Sequence, residues 1–376
     1  VSKETFAMPT TSRRPRLGRL AAASVALLLL AAATVACRVP QRYDVTTHQA
    51  DLNHPWEVAF LPDGTMFVTE RPGDIGVRRT NGQFTRLSPR APGVVESGEG
   101  GMMGLAVDPN FGSNRRIYAC YLTANDVRVV RFNVSADLTR LNHERDLVVG
   151  IQRTSGRHSG CRLAFKPGTG ELWVTTGDAA SCLNPQDLGR LAGKVLRVDI
   201  DGNAIEGNMR VDDQLTKIYA YGFRNPQGIS FRRSDGAAFI TEHGPDRDDE
   251  ITRLQLGGNG GWAPRCNYDE SVPMTNFNLG NVLPPTWQSG SSTIAPSGAT
   301  FVYDADWGDR AGQLAVAVLK GQQLRMFNVQ DGSADGGGAV LTGYGRLRTA
   351  VEGPDGRLYI ATDANPGRIL AVQPVL

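Results

Sequence analysis

One pattern constrains this chain more than any other. A turn of Gly, Asp or Pro followed by a short alternating strand returns six times. It reads LPDGTMFVTE at 61–70, NRRIYACYL at 114–122 and KPGTGELWVTTGD at 166–178. The later copies are SDGAAFITEHG at 234–244, RAGQLAVAVLKG at 310–321 and GPDGRLYIATD at 353–363. Period-2 alternation bounded by turn residues marks β-hairpins. The copies lie roughly 45 to 75 residues apart, which leaves room in each unit for about four strands. The prediction is an all-β fold, a six-bladed β-propeller of four-stranded antiparallel blades. The 44 Gly and 21 Pro supply the turns, and no long helical periodicity follows residue 37. An array of β-sandwiches is the alternative, but no linker rich in Ser, Pro or Gly separates the units.

Residues 1–36 read as an export signal. Arg13, Arg14, Arg16 and Arg19 precede a 16-residue apolar run, Leu20 to Val35, that ends at Ala36-Cys37. A basic segment, an apolar segment and a small-residue cleavage site are the parts of a secretory leader, and the run is short for a membrane span of ~20 residues. Thr34-Val35-Ala36-Cys37 resembles a bacterial lipobox, so Cys37 is the expected lipidation site and residues 37–50 the expected tether. The propeller is then expected over 51–376, outside the cytoplasm on the face of the membrane. Ordinary signal-peptidase cleavage is the other reading. Arg13-Arg14 also fits twin-Arg export.

Without residues 1–36 the chain loses five Lys/Arg and one Glu, so its formal charge moves from +2 to −2. No polybasic block remains, which argues against a nucleic-acid partner. Cys120, Cys161, Cys182 and Cys266 stay, an even number for an oxidising compartment. Four cysteines allow three pairings. Cys161 with Cys182 is preferred because the two flank one hairpin, and buried free thiols are the alternative.

Charge gathers in turns next to the repeated strands. YGFRNPQG (221–228), TEHGPDRDDEITRL (241–254) and GGNGGW (257–262) pack Arg224, Asn225, His243, Asp248, Asp249 and Glu250 among Gly and Pro. Such loops on a rigid scaffold commonly carry function. His158, in RHSGCRLAF (157–165), sits at the entry to a strand and suits proton transfer near neutral pH. His54 reads as structural and Trp56 as a core anchor. Arg346 and Arg348 are two apart on a strand and so share a face. Paired guanidiniums call for an anion, a carboxylate or phosphate, and Lys320 adds a third cation if its strand ends at the same place. The run Asp246, Asp248, Asp249, Glu250 fits a hard cation such as Ca²⁺, although it lacks EF-hand spacing. A solvated acidic turn is the alternative.

Together these motifs resemble those of the soluble pyrroloquinoline-quinone (PQQ)-dependent aldose sugar dehydrogenases, the glucose/sorbosone dehydrogenase family. The waypoints are LNHPWEVAFLPDG (52–64), GEGGMMGLAVDPNF (98–111), HSGCRLAF (158–165), LAGKVLRVDIDG (191–202), YGFRNPQG, TEHGP, GGNGGW, APSGATF (295–301) and GPDGRLYIATD. The resemblance implies a six-bladed propeller, PQQ and Ca²⁺ as cofactors, a sugar substrate and an external electron acceptor. It implies His158 as catalytic base, oriented by Asp178, with Arg224 near the reacting carbonyl and Asn225 on the cofactor. It implies Lys320, Arg346 and Arg348 as the cations that hold PQQ, and the carbonyls of Gly244 and Pro245 as Ca²⁺ ligands. Glu99 departs from the pattern: it stands where the family's GQGG motif has Gln, close to the substrate. Two other readings are a Ca²⁺-dependent lactonase on a similar propeller and a non-catalytic binding lipoprotein.

Overall fold

The structure, a computed structural model, describes residues 39–40 and 42–376. The leader and Cys37 lie outside the described residues. Val39–Leu376 forms one compact unit of six four-stranded antiparallel sheets, the expected six-bladed β-propeller. Blade 1 takes its inner strand from Pro55–Phe60, blade 2 from Met102–Val107 and blade 3 from Gly160–Phe165. Pro226–Phe231, Pro296–Phe301 and Leu347–Glu352 open blades 4, 5 and 6. Each inner strand packs against those of its two neighbours, and blade 6 returns to blade 1, so the six enclose a central channel.

The six sequence repeats are the second strands of the six blades. They are Met66–Glu70, Arg116–Leu122, Leu172–Thr176, Ala238–Glu242, Leu314–Val318 and Leu358–Thr362. Five of them are buried at every residue and the sixth at all but Arg116, because neighbouring blades cover both faces. Alternating polar residues such as Thr69, Thr175 and Thr241 are therefore inside. Their hydroxyls donate to carbonyls of Met103, Pro226 and Ser297 on the next blade. The apolar side chains form six clusters, one in each interface between blades.

Every inner strand slips register against its second strand near its start: at Pro55/Val58, Met102/Leu105, Gly160/Leu163, Pro226/Gly228, Pro296/Ala299 and Leu347/Thr349. A bulge re-aims side chains, and five of the six carry a buried polar one, Glu57, Arg162, Gln227, Ser297 or Arg348. Adjacent backbones run so close there that a Cβ on Gly104 would fall 2.2 Å from the carbonyl oxygen of Cys161; only glycine fits.

Two expectations are corrected. The segment 37–50 is not a tether throughout, since Arg42–Leu52 is the fourth strand of blade 6. It pairs antiparallel with Gly367–Val375, from Arg42 opposite Val375 to Leu52 opposite Gly367. An unpaired last strand would leave an open edge, and Tyr43, Val45 and Leu52 bring apolar surface to the closure. The disulfide joins Cys161 to Cys120 rather than to Cys182, with Cα atoms 5.7 Å apart. Cys161 lies in the bulge of its hairpin with φ of 78°, and its side chain leaves the hairpin for the second strand of blade 2.

Truncating the chain at residue 52 is expected to lower Tm by on the order of 10 °C and to drive association through the bared edge. Calorimetry and size-exclusion chromatography would test this; an unchanged Tm would show that the closure is dispensable.

Candidate active site

In an antiparallel blade the first residues of the inner strand and the last of the second strand lie at the same end. His158 precedes the inner strand of blade 3, and Asp178 follows its second strand. Arg224 and Asn225 precede blade 4, and His243, Gly244 and Pro245 follow its second strand. This shared end of the channel opens into a cavity of about 370 Å³ lined by Glu99, Arg157, His158, Arg224, Asn225, His243, Gly244, Pro245, Asp249 and Thr293, among others.

His158 is buried and held in the left-handed region at φ 52°, a conformation that non-glycine residues seldom adopt. Its Nδ1 lies 2.9 Å from Asp178 Oδ1, an arrangement that leaves the Nε2 lone pair for the cavity. Asp178 is fully buried. The Ala180 N–H donates to its Oδ1 at 2.7 Å, and Trp262 Nε1–H and the Tyr268 hydroxyl each donate to Oδ2 at 2.7 Å. Burial, with the Asp178 charge adding, pushes the Tyr268 phenol far up, so it remains a donor.

Glu99 accepts from the His158 N–H, from Asn225 Nδ2 at 3.1 Å and from Gln227 Nε2 at 2.8 Å. Arg224 donates through Nε and Nη2 to Glu270 Oε1, at 3.0 and 2.5 Å, and through Nη1 to the His243 carbonyl at 3.0 Å. Arg157 reaches the other oxygen of Glu270 at 2.5 Å. Burial works to raise the Glu270 carboxyl, but Arg224 and Arg157 outweigh it and hold it below the usual range. Burial first, then Arg224, Arg348 and His158, push the His243 imidazole well down, so it is neutral; its Nε2 is buried without a partner.

The expected cations stand apart from this wall. Lys320 is exposed, and its Nζ donates to Thr293 Oγ1 at 2.6 Å on the cavity lining. Arg346 and Arg348 do share a face: both donate to Asp363 Oδ2, at 3.1 and 3.0 Å. Arg346 is exposed and Arg348 buried. Arg348 also donates to Gln227 Oε1 at 2.7 Å, while its Nε is buried without a partner.

The acidic run is neither a side-chain cation cluster nor a solvated turn. Asp246 is exposed, whereas Asp249 accepts the backbone N–H groups of Gly244, Ile294 and Ala295 at 2.9, 2.5 and 2.8 Å. Glu250 points elsewhere, to Thr275 and Gln288. Among the described residues no group of three or more His, Cys, Asp or Glu could hold a metal. A second cavity of about 370 Å³ opens among the farther ends of the inner strands. Its charged residues answer one another, Glu57 with Arg162 and Glu352 with Arg233, which leaves it without a free acid or base.

The sequence profile of the glucose/sorbosone dehydrogenases matches residues 52–371. The chain belongs to this family. It is 30% identical to the aldose sugar dehydrogenase YliI of Escherichia coli K12, over 89% of this chain and 94% of that one. It is 27% identical to quinoprotein glucose dehydrogenase B of Acinetobacter calcoaceticus, over 77% and 66%. The PQQ-bound aldose sugar dehydrogenase of Streptomyces coelicolor superposes with a TM-score of 0.76 at 29% identity, over 89% of this chain and 99% of that one.

Site residues that the sequence motifs did not single out include Tyr268, Glu270, Gln227 and Asp363. Gln227 stands within YGFRNPQG, and Asp363 ends the sixth repeat as Asp178 ends the third, so both had a signal. Tyr268 and Glu270 lie in the irregular stretch between the last two strands of blade 4, where no periodicity marks them.

Burial raises the Glu250 carboxyl to about 7; the Thr275 and Gln288 hydrogen bonds oppose this, and the Asp248 and Asp249 charges add to it. Between the ordinary carboxylate pKa and 7 the folded chain therefore holds a proton that the unfolded chain releases. That stability is full below the window and is lost as pH rises through it. Glu250→Gln should leave Tm unchanged at pH 4 and raise it at pH 8, read by calorimetry; a lower Tm at pH 8 would refute this.

Proposed function

We propose that the protein is a PQQ-dependent sugar dehydrogenase that oxidises an aldose at its anomeric carbon to the lactone and passes the electrons to an external acceptor. The observation that carries this reading is the His158–Asp178–Tyr268 constellation, which turns an unencumbered imidazole nitrogen towards a cavity walled by Arg224 and Asn225. His158 takes the proton of the anomeric hydroxyl, and Asp178 stabilises the imidazolium that results. Arg224 uses three of its five N–H groups on Glu270 and His243 and keeps two for oxygen on which charge develops.

The residues fit a polyanionic, oxygen-rich cofactor. Arg348 Nε and His243 Nε2 are buried polar atoms without partners, and Lys320 and Arg346 add cations nearer solvent. When bound, PQQ supplies the two-electron sink for the hydride of the anomeric C–H. In this reading Ca²⁺ takes the carbonyls of Gly244 and Pro245, in a turn that Asp249 pins in place. Two carbonyls are fewer than the six to eight oxygens such an ion takes, so these residues would supply only part of its ligand set. Export and lipidation at Cys37 belong to the same proposal and set the enzyme on the outer face of the membrane. The lactonase alternative needs free carboxylates on a metal, whereas Glu99 and Asp249 are already occupied by N–H donors.

Reconstitution with PQQ and Ca²⁺ should give saturable cofactor binding and aldose-dependent dye reduction. His158→Ala should keep the binding and lower kcat by roughly 10³-fold or more. Absence of binding with Ca²⁺ in excess would remove the quinoprotein reading.

A further inference from the structure

With Cys120 and Cys161 joined, two cysteines of the described chain are unaccounted for, and they meet. Cys182 and Cys266 are 84 residues apart in sequence, yet their sulfurs lie 2.7 Å apart. Cys266 is exposed and Cys182 half-buried. We propose that Cys182 and Cys266 form a second, solvent-accessible disulfide that staples the loop carrying Tyr268 and Glu270 over His158 and Arg224, making the geometry of the site redox-dependent. The effect on turnover rests on the dehydrogenase reading; the bond and its effect on the loop do not.

The two anchor points differ in rigidity. Cys182 lies four residues beyond Asp178 in a turn closed on itself: the Ser181 N–H and Asn184 Nδ2 both donate to the Asp178 carbonyl, at 3.1 and 2.8 Å. Beneath it the buried Lys194 ammonium donates to the carbonyls of Asn184, Pro185 and Ala192, at 2.6, 3.1 and 2.9 Å. Residues 263–273, in contrast, contain no strand or helix. The hydrogen bonds that tie them to the rest of the protein come from two side chains, and both end on the site. Tyr268 reaches His158 and Asp178, and Glu270 reaches Arg157 and Arg224. A covalent link at Cys266, two residues before Tyr268, fixes the exposed stretch 265–267, which among the described residues makes no hydrogen bond outside this loop other than through its own sulfur.

The chemistry balances by thiol–disulfide exchange with a disulfide-bearing oxidant, as an oxidising compartment supplies. The exposed Cys266 thiolate attacks the oxidant's disulfide and expels one thiol, and Cys182 then attacks Cys266 Sγ and expels the second. Two electrons reduce the oxidant, and the two protons leave the cysteines for its thiols. Accessible disulfides exchange readily, whereas shielded ones resist; Cys120 and Cys161 are both fully buried. The two bonds should therefore separate under mild reduction.

The full chain, air-oxidised and alkylated without reduction, should yield a peptide linking Cys182 to Cys266. Mild dithiothreitol should split this link first. Amide hydrogen exchange over 263–273 should then rise about 10-fold, with the blade strands unchanged. Cys266→Ser should show the faster exchange without reductant and no response to it. In the reconstituted enzyme, reduction should lower kcat at least threefold, and Cys266→Ser should already sit at the lower value. Alkylation of both cysteines in the oxidised protein would overturn the disulfide. An exchange rate indifferent to reduction would overturn the staple, and a redox-independent kcat in an active enzyme would overturn its coupling to His158. An inactive enzyme with a linked, redox-responsive loop would instead fault the dehydrogenase reading.

Discussion

A ring of six sheets has to fill its own axis, and the bulge that opens every inner strand is how this chain does it. The bulges aim polar side chains into the channel, where they must satisfy one another because water does not reach them. Arg162 is entirely enclosed there. It pairs with Glu57, donates to the Gln227 carbonyl at 2.7 Å and to Thr349 at 3.1 Å, and stacks on Trp56 with its guanidinium 3.9 Å from the ring centre. Blades 1, 3, 4 and 6 are thereby joined at one point. A buried pair of this kind is weak evidence of net stability. Its value lies in geometry, because removing either partner would strand a charge where no water can answer it.

The functional end of the channel is built directly on this plug. Gln227 accepts from Arg348 and Ser297 through its side-chain Oε1 and donates to Glu99 through Nε2. Glu99 in turn receives the His158 N–H, so the plug and the candidate base are coupled through a few bonds. The four arginines at this end are answered within the chain, Arg224 and Arg157 by Glu270 and Arg346 and Arg348 by Asp363. An anionic ligand therefore enters as a competitor for pre-paired guanidiniums, aided by the N–H groups that the pairs leave open. The Glu99 carboxylate faces only donors, the His158 N–H and the side-chain amides of Asn225 and Gln227, so it is not stranded.

The sequence carried the blade count because each second strand has the same local grammar, a turn and then a short strand, and local grammar survives without tertiary information. His158, Arg224, Asn225 and Gly244 come together for a related reason: each adjoins a strand end, and in a propeller the ends of first and second strands gather at one mouth. The two faces of the second strands were less legible. Thr69 and Thr175 look like solvent positions in the alternation, and only the next blade's carbonyls turn them into buried donors.

What the sequence by itself determined is the repeated unit, its number and the chemical types set at its turns, all consequences of short-range backbone and hydrophobic pattern. The tertiary structure alone decided which distant groups meet. It took Arg42–Leu52 into the last blade, where it supplies the fourth strand that the C-terminal segment alone does not provide, and it joined Cys161 to Cys120 because a bulge turns that side chain towards a neighbour. It brought Tyr268 and Glu270 onto His158 and Arg224 from a stretch without periodicity. Such pairings depend on where loops land in space, and a sequence encodes that only through the packing of the whole ring.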